Sequence, residues 1–287
     1  MFEDLIINED TKNQLCKFLL RSNPGCLILS GKKHMGKATV ARQIAEHFLG
    51  GKLSVHPDFM MVEPMNGTIH IEQIRLLIDK ARLSPAVAKR QVFVIDDADS
   101  MSVSAQNALL KLVEDGNDAN IVIFISNGGL LPTIRSRCTQ INFLECKMEV
   151  LDAVLDLLAD GCPGISILYK DSEFLSDIRV AVECLNVAPG DILKVMHAVK
   201  EKDKEFFFDK YTPEEIRLYM MFLREYYKGA LLQKLGFTKS RIAVDGICSR
   251  DDISRICELA NLAEEQCKLK NYSKNDFTSF LFELALG

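Results

Sequence analysis

Two rhythms of apolar and polar positions divide the first half of the chain. Four short runs, Cys26–Ser30, Phe59–Val62, Val92–Ile95 and Ile121–Ile125, are almost continuously apolar, as strands buried on both faces are. Between them, apolar residues return every three or four positions, which is helix spacing. Leu15, Phe18 and Leu19 mark a helix over Thr11–Arg21, and a second helical pattern ends at Phe48. Ile71, Ile74, Leu77, Ile78 and Ala81 give Ile69–Arg82 one apolar face. A further helix is expected after Ser102, a suitable N-cap, with a stripe of Ala105, Ala108, Leu109, Leu112 and Val113 and a stop at Gly116. Strands alternating with helices predict an α/β domain built on a parallel sheet.

After Phe143 the strand rhythm stops and the pattern is helical. Helices are expected over Met148–Ala159, Glu173–Leu185, Pro189–Lys200, Pro213–Leu235, Arg250–Lys270 and Lys274–Leu286. Pro189 and Pro213 stand near helix starts, where a missing N–H is harmless, and Thr212 and Ser249 suit the cap position. Met220, Met221, Phe222, Tyr226 and Tyr227 could form an interface, but an aromatic and Met stripe is read by default as core.

Composition narrows the classes. The 287 residues are 48% hydrophobic and 26% charged, enough for a large core and more than one domain. A formal net charge of −5 gives no global pull toward nucleic acid. Lys80, Arg82, Lys89 and Arg90, flanking Ser84-Pro85, are a modest basic cluster, read as a solvated face. No apolar run approaches the roughly 18 residues of a spanning helix, so no membrane partner is expected. The opening MFEDLIINED lacks the pattern of a secretory signal, which makes the cytoplasm the expected location. The 9 cysteines include no C-x-x-C pair. Those at Cys16, Cys26, Cys184, Cys257 and Cys267 sit in apolar or helical patterns and are read as small buried residues in a reducing compartment. His56 has no convergent ligands nearby and is read as a turn residue; no metal site is expected.

Chemistry concentrates at two places. The first is Gly31-Lys32-Lys33-His34-Met35-Gly36-Lys37-Ala38-Thr39, between a strand and a helix, which has the G-x-x-x-x-G-K spacing of a phosphate-binding loop. Gly31 and Gly36 let backbone N–H groups approach phosphate, and Lys37 supplies charge. The hydroxyl that should follow the lysine to ligate magnesium is absent, because the residue is Ala38. Thr39 belongs to the candidate site, but it is turned about 100° away along the helix and does not replace that hydroxyl. The second is Val92 to Cys138. Its first strand ends in Asp96 and Asp97, placed to hold magnesium and to activate water respectively, or simply to cap a turn. Ser126-Asn127 ends the next strand, where Asn127 could sense a γ-phosphate or merely shape the Asn-Gly-Gly turn. Ser136-Arg137-Cys138 closes the stretch.

HPDF, IEQIR, VFVIDDAD, AQNALLKLVE and LLPTIRSRC, in that order after the loop, resemble the clamp-loader branch of the AAA+ family. The resemblance implies an AAA+ P-loop domain over residues 1–143, a small and shortened helical lid over 144–172, and an all-α collar over 173–287 that joins subunits. It implies a subunit of the bacterial DNA polymerase III clamp loader, in a five-subunit ring with gamma/tau and delta subunits, that loads a sliding clamp on primed DNA. Arg137 would then be an arginine finger acting in trans on a neighbour's nucleotide, in place of an ordinary surface ion pair.

Three departures weaken the chain's own pocket. Ala38 replaces the hydroxyl residue, Asp97 stands where hydrolysing members carry Glu, and Gly161–Ser166 lacks the lid arginine. Asp97 is therefore expected to be a vestigial base, and the site at Gly31, Gly36, Lys37, Thr39, Asp96 and Asn127 a degenerate one. No cofactor is expected to be required, with weak ATP or ADP binding with magnesium left open. The four-cysteine zinc module of many members has no counterpart in Gly50–Val55, so no zinc is expected. The alternative is a catalytically active gamma/tau-type ATPase that tolerates Ala38.

Overall fold

The fold is taken from a computed structural model, which describes residues 2, 5–115, 118–146, 152–187, 211–237 and 253–268, with 242, 244, 245, 248 and 251 between the last two segments. The chain falls into two compact units. The first comprises Met1–Lys147 with Cys162–Gly164, and the second Met148–Gly161 with Ile165–Gly287.

The first unit is a parallel sheet of β1 (Cys26–Ser30), β2 (Phe59–Val62), β3 (Gln91–Ile95), β4 (Asn120–Ser126) and β5 (Thr139–Asn142). Its order is β2-β3-β4-β1-β5, and each neighbouring pair is parallel. The central β3 and β4 are buried at every position, which is why their sequences read as unbroken apolar runs. β5 escaped the sequence reading because Thr-Gln-Ile-Asn has one apolar residue, the buried Ile141, which leaves a weak trace.

The helices are α1 (Glu9–Leu19), α2 (Lys37–Leu49), α3 (Ile71–Ala81), α4 (Val103–Glu114) and the short α5 (Pro132–Arg135). α1 starts two residues earlier than its apolar spacing suggests, because Asn8 caps it and Glu9 and Asp10 favour its N-terminus. α3 begins after Ile69, where His70 and Gln73 form a reciprocal capping box. Ser102 caps α4 as expected, accepting from the Ala105 N–H. The Gly116 stop lies outside the described residues. Ile74, Leu77, Leu109 and Val113 meet Phe93 and Phe124 in one core. Cys16 corrects one expectation: it is exposed, not buried. It sits about 100° around the helix from buried Leu15 and faces solvent.

In the second unit, α8 (Glu173–Val187) matches an expected helix. α6 (Ala153–Ala159) starts only after its cap Asp152, later than the expected start at Met148, and the first residues of that expected helix lie outside the described ones. Between them α7 spans Pro163–Tyr169, a helix the apolar pattern did not disclose. Asp152 caps α6 through the Val154 and Leu155 N–H groups and pairs with Arg179. The helix Pro213–Lys234 starts with a capping box of Thr212 and Glu215. It buries Met220, Phe222, Tyr226 and Tyr227, so the stripe is core. Its partner is the helix Ile253–Lys268, which contributes Ile256 and Ala263 to the interior. The helices expected at Pro189–Lys200 and Lys274–Leu286, and the cap at Ser249, lie outside the described residues.

Candidate functional site

The residues with chemistry collect at opposite ends of the sheet. At the carboxyl end, β1 runs into the glycine-framed loop and α2 begins at Lys37. Gly31 has φ +145°, and a Cβ there would lie 2.8 Å from the Phe143 carbonyl oxygen, so no larger residue fits. Gly36 caps α2 with φ +82°. Lys37 is 6% exposed. Its Nζ donates to the Gly31 carbonyl, to the Lys32 carbonyl at 2.8 Å and to Asn127 Oδ1 at 2.9 Å. Burial pulls its pKa down to about 8, with Asp99, Asp96, Cys162 and Asp97 opposing the fall. The ammonium is thus engaged inside the loop and easily discharged. Cys162–Gly164, part of the stretch that lacks the lid arginine, packs on the same loop. The Gly164 N–H donates to the His34 carbonyl at 2.9 Å, and a Cβ on Gly164 would come within 2.5 Å of that oxygen.

The end of β3 supplies the carboxylates. Asp96 Oδ1 accepts from the Asp97 N–H at 2.9 Å, and Asp97 takes a left-handed φ of +46°. Sequence reasoning missed the third acid of the run, Asp99. Its carboxylate accepts from Ser126 Oγ at 2.6 Å, the Gly129 N–H at 2.7 Å and the Asn127 N–H. Asp99 thereby shapes the turn after β4 and holds Asn127 where its side chain meets Lys37. The signal was available: an acid beyond a strand end, and an Asn-Gly-Gly turn whose N–H groups need acceptors.

A magnesium nucleotide fits this end poorly. Ala38 offers no oxygen, Thr39 is exposed, and the Lys37 ammonium already serves two loop carbonyls. Asp96 and Asp97 remain at the strand end, but the hydroxyl ligand that the position of Ala38 would supply is missing. Among the described residues, no cluster of three or more His, Cys, Asp or Glu could hold a metal ion.

At the amino end lies Arg137, two residues before β5. Its guanidinium donates to the Thr133 carbonyl at 2.9 Å and pairs with Glu114 at 2.8 Å, and its side chain remains 39% exposed. It lines a cleft of about 170 Å³ with Asn23, Gly25, Cys26, Asn120 and Thr139. Because β5 is parallel to β1, a residue ahead of β5 lies at the end of β1 remote from Lys37. Five strand residues at about 3.3 Å each intervene, so Arg137 cannot serve its own phosphate loop.

The HPDF segment has a structural task. Asp58 is 1% exposed and accepts from the Ala86, Val87 and Ala88 N–H groups at 2.6, 2.8 and 2.7 Å. Burial would raise its pKa, but these bonds and the nearby His56 outweigh it and hold the carboxyl below its ordinary value. His56 Nδ1 accepts the Asp58 N–H at 3.2 Å, a turn role. The basic cluster is tied locally: Lys80 to the Phe59 carbonyl, Arg82 to Asp79 and Arg90 to the Asp118 carbonyl.

The chain is similar to known proteins along part of its length. Residues 52–147 match the family described as DNA polymerase III, delta subunit. DNA polymerase III subunit delta-prime of Pseudomonas aeruginosa is 34% identical over 112 residues, 38% of this chain and 33% of that protein. The same subunit of Bacillus subtilis is 29% identical over 143 residues, 44% of each chain. The chain therefore matches less than half the length of either relative. A gamma subunit-related protein from Thermotoga maritima has a solved structure that aligns over 96% of this chain and 98% of its own, at 17% identity and TM-score 0.49. By its matched segment and its relatives, the chain is similar over part of its length to delta-prime subunits of DNA polymerase III.

Proposed function

We propose that the chain serves in the clamp loader without turning over ATP itself, and that it supplies Arg137 in trans to a neighbouring ATPase subunit. In this role it sits with gamma/tau and delta subunits in a five-subunit ring that places a sliding clamp on primed DNA. One observation carries the proposal: Arg137 and Lys37 lie at opposite ends of one parallel sheet. A guanidinium so placed can act only on a phosphate brought by another molecule. Its pair with Glu114 is no obstacle, because an exposed ion pair contributes about 0–1 kcal/mol and a polyphosphate competes well for the guanidinium. The poor fit of magnesium at Ala38, Asp96 and Asp97 supports the non-hydrolysing half.

A second reading, a gamma/tau-type ATPase, is favoured by a relative of that name in Mycobacterium tuberculosis, 30% identical over 128 residues. Titration calorimetry of the chain with ATP and magnesium separates the two. Tight binding with steady turnover, abolished by Lys37→Ala, would establish the ATPase. For the finger, the complex is reconstituted with Arg137→Ala and, as control, Arg135→Ala. The expected result is loss of DNA-stimulated hydrolysis at one site with assembly retained for Arg137→Ala alone.

A further inference from the structure

The amino-end cleft holds a feature that the proposed function does not use. Cys26 opens β1, and Cys138 stands one residue before β5. Leu27 pairs with Thr139 in the parallel register, so Cys26 and Cys138 are opposite one another one step earlier. Both pack against the same core, which puts their side chains on one face of the sheet. Their thiols are hydrogen-bond neighbours, and neither is in a disulfide. Adjacent strands run about 4.7–4.9 Å apart, inside the Cα separation of about 4.4–6.8 Å that a disulfide tolerates. Cys26 also lines the cleft, so a small solute can reach it.

We propose that Cys26 and Cys138 form an oxidisable dithiol, a modification site that a low-molecular-weight disulfide closes into an intrachain bridge. The Cys26 thiolate attacks one sulfur of R–S–S–R, forming a mixed disulfide and expelling one thiolate R–S⁻. The Cys138 thiolate then attacks the Cys26 sulfur and expels the second. Two cysteine thiols are oxidised by two electrons, the reagent is reduced to two R–SH, and both protons go to the leaving thiolates. The order of attack follows from position and acidity. Cys26 lines the cleft and its thiol is lowered by the hydrogen bond from Cys138, against burial, whereas the same bond and burial raise Cys138. The bridge would tie the residue beside Arg137 to the first residue of β1. An effect of oxidation on a neighbour's ATPase rests on the trans-arginine reading; the bridge itself does not.

The test uses the full chain in glutathione buffers of increasing oxidised fraction, quenched with acid and N-ethylmaleimide, digested and mapped by mass spectrometry. The expected product is a peptide pair joined through Cys26 and Cys138, reversed by dithiothreitol, with exposed Cys16 carrying maleimide or a glutathione adduct. In Cys26→Ser the pair is absent and Cys138 ends alkylated; Cys138→Ser should instead trap glutathione on Cys26. The proposal is overturned if wild-type Cys26 retains glutathione while Cys138 is alkylated, or if both are alkylated under conditions that oxidise Cys16. The mapping on wild type decides the matter even if a variant folds poorly. Running Arg137→Ala in the reconstituted complex alongside keeps the two questions apart, since an unchanged ATPase there removes the trans role and leaves a mapped bridge standing.

Discussion

The two ends of the sheet differ in how their charged groups are employed. At the carboxyl end, Lys37 and Asp99 are bound into the chain's own loops, Lys37 by carbonyls and Asn127, Asp99 by Ser126, Asn127 and Gly129. At the amino end, Arg137 is held by the Thr133 carbonyl, the Ser136 hydroxyl and the exposed Glu114 carboxylate, and stays partly open. Lys37, bonded to carbonyls and Asn127, braces its own loop. The proposed function relies on Arg137 being released from its surface contacts to a partner. Under that function, the fold has given up chemistry at one end and kept it at the other.

The largest effect is expected from Arg137→Ala: about 10²-fold or more lost from the neighbouring site's hydrolysis in the reconstituted complex. Arg137→Lys should recover little, because an ammonium lacks the planar fork that spans two phosphate oxygens.

Asp58→Ala should destabilise the first unit by about 2–3 kcal/mol in a denaturant titration, since three N–H acceptors disappear together. Its pH dependence has a definite sign. The folded carboxyl is held below its ordinary value, so its contribution is fully present above the unfolded pKa of about 3.9 and is lost as pH falls through the folded value. Asp58→Asn should flatten that acid limb.

Asp99→Ala should cost about 1–2 kcal/mol and loosen the turn after β4, seen as faster amide exchange at Asn127 and Gly129. Lys37→Met has the smallest expected effect at neutral pH: stability equal to or above wild type, because burying the ammonium is itself unfavourable. With a folded pKa of about 8 against about 10.4 unfolded, the unfolded chain binds more protons between those values. Wild type should therefore gain stability relative to Lys37→Met as pH rises through that window.

Much of this was legible in the residues. Apolar runs marked β1 to β4, including the edge strand β2, which buries only Val62 but is apolar throughout, and the capping residues Ser102 and Thr212 marked helix starts correctly. β5 and α7 were not legible, since Thr-Gln-Ile-Asn has one apolar residue and a seven-residue helix leaves little periodicity. The loop lysine and the carboxylates were found by motif, but their internal bonding was not. Whether Lys37 faces phosphate or carbonyl oxygens depends on Asn127, 90 positions away, and on Asp99, which fixes the turn that carries it. The opposition of Arg137 and Lys37 follows from the parallel register of β5 with β1, a long-range pairing invisible in local pattern.

The direct test is a side-by-side measurement of DNA-stimulated ATP hydrolysis by complexes carrying Arg137→Ala or Lys37→Met in this chain alone. If chemistry survives only at the amino end, Arg137→Ala lowers the rate sharply and Lys37→Met leaves it unchanged. The reverse pattern, a rate that survives without Arg137 and falls without Lys37, would contradict it.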